Sequence, residues 1–230
     1  MSRRLQAVIF DVDGTLVDSE RHGHRVAFNR AFSEFGLPDH WDEETYGELL
    51  AVTGGRRRID GWLARRGMAE ADRAALAPAL HLRKTAIFND LIADGLVPAR
   101  PGVGRLLAEL AGAGVRLAVA TTGSRAWVEP ALARAADGIH CEVVVTGDEV
   151  TAPKPDPQAY VDALSLLGLG PRAAVAVEDS ANGLRAAVGA GIACAVVWNG
   201  YTEHDDFTGA DLVLSDFDAL DLAALEALVG

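Results

Sequence analysis

The hydrophobic pattern changes its period along the chain. Residues Ala7 to Phe10 form an unbroken apolar run, as expected of a strand buried on both faces. The period then becomes helical. Phe28, Ala31, Phe32 and Phe35 fall at i, i+3, i+4 and i+7, and Gly36-Leu37-Pro38 stops that helix. Further helices are predicted over about Asp42–Val52, Arg57–Arg66 and Glu70–Asp94, with no convincing strand between residues 17 and 97. Beyond Pro98-Ala99-Arg100-Pro101-Gly102 helices and strands alternate: helix Arg105–Ala113, strand Arg116–Ala120, helix Trp127–Ala136, strand Glu142–Thr146. The alternation continues with helix Gln158–Leu167, strand Ala173–Val177, helix Ser180–Ala190 and strand Ala193–Trp198. A short strand, Leu212–Leu214, and a helix near Leu220–Val229 close the chain.

Apolar strands alternating with helices indicate a parallel sheet covered on both faces, with right-handed crossovers. The first strand belongs to that sheet although some eighty helical residues separate it from the second. The expected fold is therefore α/β: a Rossmann-like core of residues 1–16 and 98–230 with an all-helical cap, 17–97, inserted after the first strand. Segments 17–18 and 95–101 would be the hinges, with Gly95 and Pro98 as flexing points.

At 230 residues, 50% of them apolar, the chain can bury a sizeable core. No apolar run is long enough for a membrane span, and the chain passes from Met-Ser-Arg-Arg straight into a strand, so neither a membrane partner nor a secretory signal is expected. Cys141 and Cys194 make no disulfide framework; Cys194, inside an apolar run, reads as a small core residue. A cytoplasmic monomer is the expectation. The net charge of −12 argues against a general nucleic-acid partner. Its distribution is uneven: residues 17–97 hold 11 Lys/Arg against 13 Asp/Glu, the remainder 10 against 20. The insert is relatively basic, either because it receives an anion or because its helices carry solvated arginines.

In open α/β sheets ligands bind outside the carboxyl ends of the strands, and four strand ends here carry suitable chemistry. The first delivers Asp11 and Asp13 into a Gly14-Thr15 turn. Two acids held this close repel unless a cation separates them or one keeps a proton, which suits a hard metal and a carboxylate nucleophile. The second ends in Thr121-Thr122-Gly123-Ser124 before a helix, where hydroxyls and free N–H groups meet an anion or simply cap the helix; Thr121 is the better ligand. The third loop holds Lys154 between Pro153 and Pro155, an ammonium placed to neutralise a phosphate oxygen or the nucleophile. The fourth ends in Glu178-Asp179-Ser180-Ala181-Asn182-Gly183, where the acids either complete an oxygen ligand set or favour the helix dipole. Oxygen-only ligands, few in number, favour Mg²⁺ over zinc.

These residues resemble the haloacid dehalogenase superfamily of phosphohydrolases, over the whole chain and including the point where the cap is inserted. The resemblance implies that Asp11 attacks phosphorus and forms an aspartyl-phosphate, and that Asp13 acts as general acid and then general base. Thr121 and Lys154 complete the catalytic set, with Asp11, Asp13, Glu178 and Asp179 at the metal. True dehalogenases of the superfamily lack an acid at the position of Asp13, so its presence argues for a phosphatase or phosphomutase.

The cap resembles the branch that contains β-phosphoglucomutase and, more closely, the CbbY-type xylulose-1,5-bisphosphate phosphatases. The segments that carry this are Ser19-Glu20-Arg21-His22-Gly23-His24, Tyr46-Gly47-Glu48-Leu49-Leu50 and Thr53-Gly54-Gly55-Arg56-Arg57-Arg58-Ile59. The mutase has a lysine where this chain has Thr53. Gly54 and Gly55 let backbone N–H groups approach an anion, and an arginine among Arg56, Arg57 and Arg58, with Arg57 first, would fork onto phosphate oxygens; the alternative is a turn followed by a solvated basic face. Glu20 and His24 would hold sugar hydroxyls or bridge the domains, His22 reads as a surface residue, and Tyr46 is a sugar contact or cap core. Thr122 and Asn182 join the expected substrate contacts. The implied substrate is a small phosphorylated sugar, xylulose 1,5-bisphosphate, an inhibitor of Rubisco, with a protective role in the Calvin cycle. A β-phosphoglucomutase, a general sugar-phosphate or phosphoglycolate phosphatase, and a non-catalytic phosphometabolite-binding regulator are the alternatives.

Overall fold

A computed structural model describes residues 5–52, 54–136 and 138–229. The chain divides into two compact units, Met1–Asp18 with Pro98–Gly230, and Ser19–Val97. Residues 17 and 18, which the sequence pattern assigns to the insert, are tied to the core through their backbone. Val17 bridges Ala99, and the Asp18 N–H donates to the Pro98 carbonyl at 3.0 Å.

The core unit is built on a six-stranded sheet in the order β3-β2-β1-β4-β5-β6, every pairing parallel. Its strands are β1 (Ala7–Phe10), β2 (Arg116–Ala120), β3 (Val143–Val145), β4 (Ala174–Glu178), β5 (Ala193–Val197) and β6 (Leu212–Leu214). All four residues of β1 are buried, because the strand has neighbours on both sides and helices over both faces. Its register sets Phe10 beside Val119 and Val177, so three strands end at one level. Three strands differ from the sequence pattern: β3 is confined to its three valines, β4 is shifted one residue on, so that Glu178 is itself a strand residue, and β5 stops at Val197. The expected helix near Leu220–Val229 is a 3₁₀ turn, Phe217–Ala219, then a helix over Leu222–Ala227 whose Ala224 N–H is capped by Asp221 at 2.8 Å.

Every regular element among the described residues of the inserted unit is helical: α1 (Arg25–Glu34), α2 (Glu43–Leu49), α3 (Gly55–Arg65) and α4 (Glu70–Ala93), preceded by one π-helical turn, Glu20–His24, that the apolar pattern did not announce. Phe28 and Phe32, from the periodic stripe, pack on Trp41 at ring distances of 4.7 and 4.8 Å. Asn29 pins the Trp41 backbone through both its N–H and its carbonyl, each at 2.8 Å. Helix α4 continues through Pro78 and buries Leu80, Ile87, Phe88, Leu91 and Ile92 along one side. No described helix is long and apolar enough to cross a membrane.

Candidate active site

The end of β1 turns abruptly. Three successive N–H groups, those of Thr15, Leu16 and Val17, converge on the Val12 carbonyl at 3.1–3.3 Å. Gly14 makes this possible with φ +84°, and a Cβ there would stand 2.6 Å from the Asp179 Oδ2. The Asp11 N–H still donates to the Val177 carbonyl at 3.0 Å, so Asp11 leaves the sheet in the β4 register. Its side chain is buried, whereas Asp13, two residues on, is half-buried.

Lys154, buried on the loop after β3 and followed by a cis peptide bond to Pro155, binds two acids at once. Its Nζ donates to Asp11 Oδ1 at 2.7 Å and to Glu178 Oε1 at 2.5 Å. The Tyr160 hydroxyl, from helix α5 (Gln158–Leu167), donates to the same Glu178 oxygen at 2.6 Å. Gly183, in helix α6 (Ala181–Gly189), is required by close approach, since a Cβ there would overlap the Glu178 carboxylate at 1.9 Å. Asp179 is held at both oxygens, by Thr15 Oγ1 at 3.1 Å and by Asn199 Nδ2 at 2.7 Å.

Three buried acids thus face one buried ammonium. Burial pushes the Asp11 carboxyl up to about 7; Lys154 opposes that rise and the Glu178 charge adds to it. Burial, then Asp11 and Glu178, push Asp179 well above the usual carboxylate range. For Lys154 burial works against the charged form, but Asp11 and Glu178 outweigh it and hold the ammonium above its ordinary value. Oxygens of Asp11, Glu178 and Asp179 lie within 4.8 Å of one another. An all-oxygen set with surplus negative charge fits a hard divalent cation and offers nothing to a soft one. Asp13, expected at the metal, is not part of that buried trio.

Of the remaining expected contacts in the core, Thr121 is fully buried and its Oγ1 accepts the Gly123 N–H at 3.2 Å. Thr122 is exposed beside it. Asn182 lies exposed in the first turn of α6, its Oδ1 accepting from Arg185 at 2.6 Å, while Ser180 caps that helix.

In the inserted unit Tyr46 is fully buried and its hydroxyl donates to Glu20 in a very short hydrogen bond. Arg58 is also buried. It donates to the Leu49 carbonyl at 3.0 Å, the Tyr46 hydroxyl at 3.1 Å and the Val52 carbonyl at 3.4 Å, with the guanidinium over the Phe28 and Tyr46 rings. Arg56 and Arg57 are exposed and line a cleft of about 530 Å³ between α3 and α4. Gly54 caps α3 and Gly55 begins it; Thr53 lies outside the described residues. His24 stacks on Phe88 with 3.9 Å between ring centres, its Nδ1 2.8 Å from the Lys84 Nζ. His22 is exposed.

Sequence reasoning missed Tyr160, Asn199 and Arg100 in the core, and Lys84 in the insert. A tyrosine on a buried helix face needs a partner for its hydroxyl, and Trp198-Asn199 ends a fifth strand just as the other four loops end theirs. Lys84 carries no comparable signal, because periodicity alone makes it an ordinary member of a long helix.

Residues 5–191 match the model of the haloacid dehalogenase-like hydrolases. The chain belongs to that family. It is 46% identical over 218 residues to protein CbbY of Cereibacter sphaeroides, covering 93% of both chains. The crystal structure of CbbY from Rhodobacter sphaeroides in complex with phosphate superposes with a TM-score of 0.80 at 43% identity, covering 96% of this chain and 99% of that one. An Asp-to-Asn mutant of the same protein, in complex with xylulose 1,5-bisphosphate, gives a TM-score of 0.78 with the same identity and coverage. This haloacid dehalogenase-like hydrolase is accordingly an enzyme of the phosphatase class, with the six-stranded parallel sheet of that fold.

Proposed function

We propose that the enzyme is a Mg²⁺-dependent sugar-bisphosphate phosphatase that removes the 1-phosphate of xylulose 1,5-bisphosphate and releases xylulose 5-phosphate. The observation that carries the phosphatase chemistry is the buried Asp11–Lys154–Glu178 bridge, with Asp179 beside it. The substrate is proposed from the likeness to CbbY, whose variant is solved with that bisphosphate.

Asp11, Glu178 and Asp179 would hold the cation, which supplies charge neutralisation for the transferring phosphoryl group. A carboxylate oxygen of Asp11 attacks phosphorus, forming an acyl-phosphate bond as the bond from phosphorus to the sugar oxygen breaks. Asp13 gives its proton to that departing oxygen. It then takes a proton from water, whose oxygen attacks the aspartyl-phosphate, so that inorganic phosphate leaves and both acids return to their starting forms. Lys154 keeps the Asp11 oxygen in place and offsets its charge as the anionic phosphate approaches. Thr121 and Thr122 offer hydroxyl and backbone donors to phosphoryl oxygens. In the insert, Arg56 and Arg57 offer exposed guanidiniums to a second phosphate, with Gly54 and Gly55 at the start of α3 beside them. Glu20, Tyr46 and His24 offer polar atoms to sugar hydroxyls, and Asn182 is a further polar contact. This assignment places the enzyme in the cytoplasm, in the protection of carbon fixation.

Turnover measured across xylulose 1,5-bisphosphate, ribulose 1,5-bisphosphate, phosphoglycolate and β-glucose 1-phosphate tests the substrate. A clear preference for xylulose 1,5-bisphosphate is expected. Equal rates on all of them, or a preference for phosphoglycolate, would sink the assignment, and accumulation of glucose 6-phosphate would replace it with a mutase.

A further inference from the structure

The side-chain amide of Asn199, just past the end of β5, is held at every polar atom. Its Nδ2 donates to Asp179 Oδ2 at 2.7 Å and to the Gly14 carbonyl at 3.2 Å. Its Oδ1 accepts the Tyr201 N–H at 2.9 Å, and its own backbone N–H donates to Thr202 Oγ1 at 3.0 Å. The Tyr201 bond decides which end of the amide faces the acids, because an atom accepting from a backbone N–H is the oxygen. The amide therefore turns its hydrogens to Asp179 and Gly14.

Arg100 anchors the same corner. Its guanidinium donates to the Gly14 carbonyl at 3.0 Å, the Val197 carbonyl at 2.6 Å and the Trp198 carbonyl at 2.7 Å. The turn that carries Asp13 and the strand end that carries Asn199 are thus joined through one arginine and one shared carbonyl. On the other side Thr15 donates to Asp179 Oδ1 at 3.1 Å.

We propose that Asn199 is a positioning residue for Asp179: its amide, steadied by Tyr201 and Arg100, sets the rotation of the carboxylate against Asp11 and Glu178. A carboxylate has about four lone-pair positions, and two donors on opposite oxygens leave the remaining ones in fixed directions. Outer partners of this kind orient a ligand before the ion arrives, and losing one typically weakens metal binding by roughly 10- to 100-fold. The inference rests on the reading of the three acids as a divalent-cation site.

Calorimetric titration of the full chain with Mg²⁺, without substrate, tests it on wild type, Asn199→Leu and Asn199→Ser. Asn199→Leu keeps the size of the side chain and removes the donor; Mg²⁺ binding should weaken roughly 10- to 100-fold. At saturating Mg²⁺ the KM for the sugar phosphate should stay within about twofold, a split that general damage to the fold would not produce. Asn199→Ser keeps a hydroxyl donor and should show a smaller loss, and it carries the test if the leucine variant does not fold. Wild-type Mg²⁺ affinity in the variants would overturn the positioning role and leave the cation site standing. No Mg²⁺ uptake by wild type would overturn both.

Discussion

The two units each hold a cluster of buried charge, and the clusters are opposite in sign. In the core, Asp11, Glu178 and Asp179 gather around Lys154, so negative charge is in excess. In the insert, Arg58 and Lys84 are buried against the rings of Phe28, Tyr46 and Phe88, with Glu20 joined to Arg58 through the Tyr46 hydroxyl. Around those rings cations are in excess, whereas the buried Asp39 of the same unit is paired with Arg66 at 2.5 Å; Arg56 and Arg57 add two more cations at the surface. Desolvated charge is costly unless something opposes it. The core cluster therefore suits a cation and the ring-lined cluster suits an anion.

The most severe way to break the core side of this comparison is Asp11→Asn. It should abolish phosphate release by roughly a thousandfold or more, with the melting transition retained. Activity above about one per cent of wild type would remove Asp11 from the role of nucleophile. Lys154→Met acts on stability as well, because it leaves Asp11 and Glu178 facing each other without their ammonium. A loss of about 3–5 kcal/mol is expected by urea unfolding in the presence of a chelator. A loss below about 1 kcal/mol would mean that the acids are not neutralised against Lys154 at all.

The surplus negative charge also sets a direction for pH. In the folded, cation-free protein the Asp11 carboxyl titrates at about 7, well above its ordinary value of 3.8, so folding favours the protonated acid. The stability it contributes is full below the ordinary value and is lost as pH rises through about 7. Asp179, pushed up by the same burial, acts in the same sense. Surface acids such as Glu34 and Glu142, held down by hydrogen bonds from Arg83 and Arg116, are already ionised in that window. The melting midpoint in chelator should therefore fall between about pH 4 and 7, and Asp11→Asn should flatten that fall. An equal slope in the variant would show that Asp11 does not carry it.

The core was more legible in the sequence than the insert, for a physical reason. Strand ends in a parallel sheet converge on one edge, so Asp11, Lys154, Glu178 and Asp179 could be brought together from chain order alone. Asn199 obeys the same rule and was missed because an amide, unlike an acid, does not advertise a burial problem. Tyr160 was missed because its hydroxyl rides on a helix face that reads as plain core. The helices of the insert were evident from their period, even through Pro78. The partners of Arg58 and Lys84 were not, because no strand edge collects them; helix packing decides which guanidinium turns inward. The sequence put Arg57 ahead of its neighbours without a means of separating Arg58 from the pair.

The smallest expected effects separate those arginines. Arg58 makes three hydrogen bonds to the Leu49 and Val52 carbonyls and the Tyr46 hydroxyl, and its guanidinium covers two rings. Arg58→Ala would leave those acceptors unsatisfied and open space beside Phe28, so a loss of about 1–3 kcal/mol in stability is expected. Arg57 is exposed, and Arg57→Ala should move stability by no more than about 0.5 kcal/mol. Its effect belongs in binding instead: KM for a bisphosphate should rise roughly tenfold, while KM for the matching monophosphate changes little. The paired substrates matter, because an arginine that reads only a second phosphate has nothing to lose on a ligand without one. If both substrates weaken together, Arg57 does not select the second phosphate, and the basic face of α3 is solvated surface. If Arg58→Ala leaves stability unchanged, the inward guanidinium is not what holds the Tyr46 hydroxyl and the Leu49 and Val52 backbone in place.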